Sequence, residues 1–110
     1  MQRKLVPSGT GWELYMPKDV LKLLGFDPKS TQVIFKMDGN ILKISEATQE
    51  EISSENRLVK KFNKSGNGYG LYISNSIIQF LEINPETDAV KYVIKDDVLY
   101  ISGIPASAEG

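Results

Sequence analysis

The apolar residues of this chain fall into short runs separated by glycine, proline and charged residues. Positions 33–37 and 90–94 place Val, an aromatic residue, and Met or Ile at every second position, which is the period of a half-buried β-strand. Each run is followed by a polar turn and by a second apolar run, at 41–45 and 98–102. Asp38-Gly39 is a strong tight-turn signal, so the pattern predicts two β-hairpins.

A short helix is predicted before each hairpin. Each predicted helix has one apolar face at i, i+1, i+4 spacing: Val20, Leu21 and Leu24, then Ile77, Ile78 and Leu81. Pro17 suits a first helical position, and Ser74 at the matching place suits a cap. Gly25 suits a left-handed end to the first helix. Glu82 takes that place in the second helix, so we expect the cap not to be required there.

A strand, a glycine loop and a second strand precede each helix. The first strands carry basic pairs at 3–4 and 60–61, the loops are 8–11 and 65–68, and the second strands are 14–16 and 71–73. Trp12 and Tyr69 are expected to be packing anchors beside these loops. The chain thus contains a β-β-α-β-β pattern twice.

The two patterns are copies of one another. Residues 60–102 align with residues 3–45 at an offset of 57 without a gap, and 12 of the 43 positions are identical. We therefore divide the chain into repeat 1 (1–45), an acidic connector (46–59), repeat 2 (60–102) and a short C-terminal tail (103–110). A short helix in the connector is compatible with its composition.

Size and composition narrow the fold and the function. Each copy is near the lower size limit for independent folding, and the chain has no Cys for a disulfide, so the copies must share one core. With neither His nor Cys, we expect no enzyme, no metal and no cofactor. The missing cysteines fit a cytoplasmic protein. No apolar run is long enough for a membrane helix, and we expect no membrane partner.

Charge is distributed unevenly along the chain. Repeat 1 has seven basic and four acidic residues over 3–45, a net of +3, whereas repeat 2 has five of each over 60–102. The connector has four Glu and one Arg. The acidic balance of the whole chain therefore does not exclude a basic face on the repeats.

Together these features resemble the AbrB/MazE (SpoVT-AbrB) swapped-hairpin superfamily of DNA-binding modules. The resemblance covers 3–45 and 60–102, and its nearest motif is Lys64-Ser65-Gly66-Asn67 followed by the strand at 71–73. It implies a mainly β fold with short helices: two β-β-α-β-β modules in a swapped-hairpin, double-psi-like barrel. One chain then forms an intramolecular pseudo-dimer, or two chains form an intertwined homodimer.

The resemblance also implies a site. In that superfamily the basic first strand and the loop contact DNA, which transfers here to seven residues: Arg3, Lys4, Thr10, Lys60, Lys61, Lys64 and Asn67. Lys and Arg neutralise phosphates independently of any family, and loop amides add hydrogen bonds that fix register. Tyr15 and Tyr72 depart from the arginine often found there, and Pro7 matches Lys64, so an asymmetric site is expected.

Three functions follow, in order of preference. The first is a transcriptional regulator that binds double-stranded operator DNA. The second is an antitoxin with a toxin protein as partner, although the eight residues of 103–110 are fewer than the toxin-binding segment usual in such antitoxins. The third is a protein–protein or oligomerisation module that has lost its DNA contacts.

Overall fold

The computed structural model describes residues 1–105, which are mainly β with three short helices. Repeat 1 forms β1 (Gln2–Lys4), β2 (Val6–Ser8), β3 (Gly11–Met16), α1 (Lys18–Leu24), β4 (Gln32–Asp38) and β5 (Ile41–Glu46). The connector contains α2 (Gln49–Ser53). Repeat 2 forms β6 (Val59–Lys61), β7 (Asn63–Ser65), β8 (Gly68–Ile73), α3 (Asn75–Phe80), β9 (Ala89–Lys95) and β10 (Val98–Ile104).

The first strand of each repeat is broken in two, where the sequence predicted one strand. Leu5 is buried between β1 and β2, and Phe62 packs against the core between β6 and β7. The chain turns inward at both residues, so the halves on either side of each break join different sheets. Each repeat is therefore β-β-β-α-β-β.

Two antiparallel sheets result, and the strands of the two repeats interlock. One sheet has six strands in the order β1-β9-β10-β5-β4-β6, and the other has four in the order β2-β3-β8-β7. The larger sheet curls into a half-barrel. β1 of repeat 1 pairs with β9 of repeat 2, and β6 of repeat 2 pairs with β4 of repeat 1. These two strand pairs join the repeats at both edges of the larger sheet.

The strand register defines an internal pseudo-two-fold axis. Leu14 faces Leu71 between β3 and β8, and Lys43 faces Tyr100 between β5 and β10. The two residues of each pair are 57 positions apart, so each residue faces its own counterpart in the other repeat. Equivalent residues meet in this way only where a two-fold axis passes between two antiparallel strands.

A single apolar core lies between the sheets and under the helices. Alternate residues of the central strands fill it, including Leu14, Leu71, Phe35, Leu42 and Leu99, all at most 1% exposed. The apolar faces predicted for the two helices pack against the same cluster, and so do Trp12 and Tyr69. The shared core and the packing role of the two aromatic residues are thus confirmed.

Turns and helix ends follow the predicted chemistry, with two corrections. Gly39 has φ +60 in the β4–β5 turn, and Ser74 accepts a 3.4 Å hydrogen bond from the Ile77 N–H as a cap. Pro17 is the residue before α1 rather than its first residue. The expectation that Glu82 dispenses with a left-handed cap is wrong, because Glu82 has φ +58.

The connector packs against the outer side of the six-stranded sheet. Thr48 and Glu51 form a reciprocal capping box at the start of α2, and Lys36 on β4 forms a 3.6 Å ion pair with Glu51. The Thr48 backbone N–H, which donates to this carboxylate, is the main cause of the lowered pKa of Glu51.

The last strand is longer than the sequence predicted. β10 runs to Ile104, so the predicted tail begins inside a strand, and its last five positions, 106–110, lie outside the described residues. None of the helices within residues 1–105 has the length and apolar character needed to cross a membrane.

Candidate nucleic-acid interface

The outer surface of the four-stranded sheet, hereafter the four-stranded face, carries the candidate site. Leu14, Met16, Leu71 and Ile73 point from β3 and β8 into the core. Because successive strand residues point to opposite sides, the residues between them point outward. The pseudo-two-fold axis passes through the middle of this face, between Leu14 and Leu71.

Two tyrosines lie across this face over glycines of the neighbouring strand. The Tyr15 hydroxyl end occupies the space where a side chain on Gly68 would stand, and the Tyr72 hydroxyl end does the same at Gly11. The two tyrosines are equivalent positions of the repeats, and so are the two glycines, so the rings are related by the pseudo-two-fold axis. Each ring covers the sheet at a point where glycine leaves the backbone bare.

The buried side of Tyr15 is anchored from the core. The Tyr92 hydroxyl on β9 donates a 2.6 Å hydrogen bond to the Tyr15 carbonyl. Burial raises the pKa of the Tyr92 phenol well above its ordinary value near 10, and the positive charge of Arg3 acts in the opposite direction. The phenol therefore stays protonated and remains a donor at neutral pH.

The two basic pairs flank the four-stranded face, one at each edge. Arg3 and Lys4 are the last two residues of β1, one residue before β2 begins. Lys60 and Lys61 are the last two residues of β6, one residue before β7 begins. The Arg3 guanidinium carbon lies 4.9 Å from the centroid of the Tyr15 ring, in cation–π contact. Arg3 is thereby held over the face.

Alternation sends the two cations of each pair in different directions. Arg3 and Lys60 are opposite core residues of β9 and β4, whereas Lys4 and Lys61 are opposite Ala89 and Gln32 and point to the other side of the strand. Lys4 nevertheless lines the same open cleft as Arg3 at the edge of the four-stranded face.

The loop tips are two-residue turns at opposite ends of the sheet. Thr10 lies in the turn between β2 and β3, and Asn67 lies in the turn between β7 and β8. The antiparallel register places each turn near the basic pair of the other repeat. The Tyr15 ring contacts Arg3, and the hydroxyl end of the same ring lies over Gly68, the residue after Asn67. By the pseudo-two-fold axis, Thr10 lies toward Lys60 and Lys61.

The two tips are fixed to different extents. Thr10 Oγ1 is 2.9 Å from the Tyr72 hydroxyl, and its carbonyl accepts a 2.7 Å hydrogen bond from Asn75 Nδ2 at the start of α3. Among residues 1–105, the Asn67 side chain takes part in no such bond. The turn of repeat 1 is therefore braced by repeat 2, while the side chain of Asn67 remains available to a ligand.

Lys64 stands apart from the other candidates. It pairs with Tyr69, whose side chain packs toward the core, so Lys64 leaves β7 on the inner side and is exposed along the sheet edge. The structure thus arranges the seven predicted residues as two groups at opposite ends of the face, with Lys64 beside one of them.

The cations of the site are not neutralised by other side chains of residues 1–105. Within residues 1–105, the ion pairs are Lys36–Glu51 and Lys43–Asp38, and both of their lysines lie on the six-stranded sheet. The five site cations are exposed or half-buried and form no ion pair in that part of the chain. Their charge is available to a phosphate.

Sequence reasoning missed the residues at the middle of the face. Tyr15 and Tyr72 stand out in the sequence only as departures from a family pattern, and Glu13 is not distinguished from the loop beside it. One sequence feature could have indicated this crossing: the alignment of the repeats pairs Glu13 with Gly70. A glycine inside a strand often marks a place where another group approaches the backbone closely, and here that group is the Glu13 side chain.

Comparisons with known protein families, with curated protein sequences and with solved structures find no match to this chain.

Proposed function

We propose that this protein is a DNA-binding transcriptional regulator of the swapped-hairpin AbrB/MazE type, with the four-stranded face as its DNA interface. The observation that carries the proposal is that two basic strand pairs, which form no ion pair within residues 1–105, lie next to opposite edges of one exposed face and are related by an internal pseudo-two-fold axis. The two strands of duplex DNA are themselves related by two-fold axes, so a face of this kind matches phosphates on both.

The contacts have two parts. Arg3, Lys4, Lys60 and Lys61 neutralise phosphates, and Lys64 adds a cation at one edge. The exposed turns at Thr10 and Asn67 supply backbone and side-chain donors that fix the position of the duplex. Because β1 and β6 are hydrogen-bonded to the hairpins of the opposite repeats, both basic pairs are held by one rigid body.

A protein-interaction module is a second candidate, and one observation favours it. Leu23 on α1 and Phe80 on α3 are equivalent positions, and their side chains are 69% and 56% exposed. Two large apolar side chains exposed at matching places can serve a protein partner. A toxin protein is one such partner, as in the antitoxin alternative.

Fluorescence anisotropy with a labelled promoter fragment from the protein's own locus and a scrambled fragment tests the proposal. The wild type is expected to prefer the promoter fragment. Lys60→Ala/Lys61→Ala/Lys64→Ala is expected to weaken binding of both fragments. A matched control, Lys22→Ala/Lys29→Ala/Lys95→Ala, removes the same charge from exposed lysines outside the site and should bind more tightly than the site variant. Absence of wild-type binding to either fragment at low salt would contradict the proposal and favour a protein partner.

A further inference from the structure

The four-stranded face departs from its internal symmetry at one central pair of positions. Repeat 1 has Glu13 where repeat 2 has Gly70. The Glu13 side chain crosses β8 directly over Gly70, and a Cβ added at Gly70 would collide with its carboxylate. The glutamate on one repeat and the missing side chain on the other therefore fit each other, and only one of the two halves can carry the carboxylate in this way.

A hydrogen bond fixes the far end of this side chain. Ser65 Oγ on β7 donates to Glu13 Oε2 over 3.1 Å. Glu13 is a residue of β3, its side chain crosses β8, and this bond reaches β7, so the side chain connects three strands of the sheet. The position of the carboxylate is set before any ligand arrives, which lowers the cost of using it for recognition.

The second oxygen of the carboxylate, Oε1, lies directly over Gly70, where a side chain would otherwise stand. Oε1 takes part in no hydrogen bond within residues 1–105, and Glu13 lines the cleft shared with Arg3, Lys4 and Tyr15. An ionised carboxylate only accepts hydrogen bonds and repels phosphates. On a DNA-binding face it therefore suits a base edge that presents a donor, and the pairing of Glu with the N4 amino group of cytosine is the matching contact in the major groove.

We propose that Glu13 is a specificity-determining residue that accepts a hydrogen bond from the N4 amino group of a cytosine, so that the face recognises a site without two-fold symmetry. This inference rests on the proposed DNA-binding function. Gly70 contributes no such acceptor, so the equivalent base in the other half-site is not read in the same way. The asymmetry expected from the loops is then reinforced at the centre of the face.

Selection of duplexes from a randomised pool, followed by sequencing, tests the proposal with three proteins. These are the wild type, Glu13→Gln, and the control Glu86→Gln, which makes the same charge change in an exposed turn outside the face. Glutamine has the same shape as glutamate and keeps an acceptor for Ser65, so Glu13→Gln retains the bridge across the sheet. With its oxygen bonded to Ser65, glutamine places an NH2 donor where Oε1 stood, which suits the major-groove acceptors of thymine or guanine instead of the N4 amino group of cytosine.

The expected wild-type motif has no two-fold symmetry, and it contains one cytosine position at which Glu13→Gln prefers thymine or guanine. The preference at that position should change by about 5- to 150-fold, the range of one good base contact, while Glu86→Gln leaves the motif unchanged. If Glu13→Gln binds DNA with an unchanged motif, or binds all sequences more tightly without a change in motif, the inference is overturned and the DNA-binding function stands. If the wild type enriches no sequence and binds no duplex, the proposed function itself fails.

Discussion

Glu82 has the left-handed backbone conformation of Gly25, its counterpart in the other repeat, with φ +58 against +72. Both residues follow a short helix, and in both copies the next N–H returns to the helix: Phe26 to the Leu21 carbonyl over 2.9 Å, and Ile83 to the Ile78 carbonyl over 3.3 Å. The fold requires this conformation at both helix ends. A side chain in it costs free energy that glycine avoids.

Glu82→Gly is expected to raise the free energy of unfolding by roughly 0.5–1 kcal/mol, because relief of the left-handed strain exceeds the added entropy of the unfolded chain. Urea denaturation measures the change. Gly25→Ala should lower the free energy of unfolding. Glu86→Gly is the matched control, because Glu86 does not have positive φ and glycine there should not stabilise. Destabilisation by Glu82→Gly would contradict the cap geometry.

The Tyr92 hydroxyl links stability to alkaline pH. The folded-state pKa of Tyr92 is raised above the unfolded value near 10, so its contribution to stability is fully present below pH 10 and is lost as pH rises toward the folded pKa. We expect the free energy of unfolding to fall above pH 10, by at most about 1.4 kcal/mol per pH unit from this one proton. Tyr92→Phe should lack this part of the slope.

Tyr92→Phe also leaves the Tyr15 carbonyl without its 2.6 Å donor, at a cost of roughly 1–3 kcal/mol at neutral pH. Tyr69→Phe is the control, because within residues 1–105 the Tyr69 hydroxyl forms no hydrogen bond. Urea denaturation of the wild type, Tyr92→Phe and Tyr69→Phe between pH 8 and about 11 gives the slope of the free energy of unfolding against pH for each protein. Identical slopes for the wild type and Tyr92→Phe would show that the pKa of Tyr92 is the same in the folded and the unfolded state, which would contradict this prediction.

A pair of introduced cysteines tests whether one chain contains both interlocked repeats. Gln2 on β1 faces Lys91 on β9, next to the 2.9 Å hydrogen bond from the Tyr92 N–H to the Met1 carbonyl. Facing residues of antiparallel strands lie at Cα distances that a disulfide can span. The chain has no other cysteine. Gln2→Cys/Lys91→Cys should therefore oxidise to a cross-linked monomer of faster mobility on a non-reducing gel.

Each single-cysteine variant serves as a control for that gel, since neither can close a link within the chain. A covalent dimer formed by the double variant in place of the cross-linked monomer would mean that β1 pairs with a second chain, and that the protein is an intertwined homodimer.

The sequence predicted the parts of the fold that depend on local patterns. The period-2 runs at 33–37 and 90–94, the turn at Gly39 and the apolar faces of both helices lie where the patterns indicated. The small size of each copy and the absence of Cys also predicted a shared core. These features are set by neighbours along the chain, so a single sequence is enough to find them.

Long-range relationships were beyond the sequence. Nothing local shows that Leu5 and Phe62 break their strands, because the breaks arise when those side chains enter a core built by other elements. The left-handed conformation of Glu82 runs against the preference of glutamate, so the residue type does not reveal it. For the candidate site, the sequence predicted the basic pairs and the loop tips, but the crossing of Glu13 over Gly70 depends on a register between the repeats that only the structure shows.

The most direct test of the account is the salt dependence of DNA binding by variants of each basic pair. The wild type, Arg3→Ala/Lys4→Ala, Lys60→Ala/Lys61→Ala and the quadruple variant are compared by fluorescence anisotropy across a salt series. Each double variant should reduce the slope of log K against log salt by up to about 0.9 for every phosphate that it no longer neutralises, and the quadruple variant should reduce it by about the sum. Binding by the quadruple variant with the wild-type affinity and slope would contradict a DNA interface on the four-stranded face.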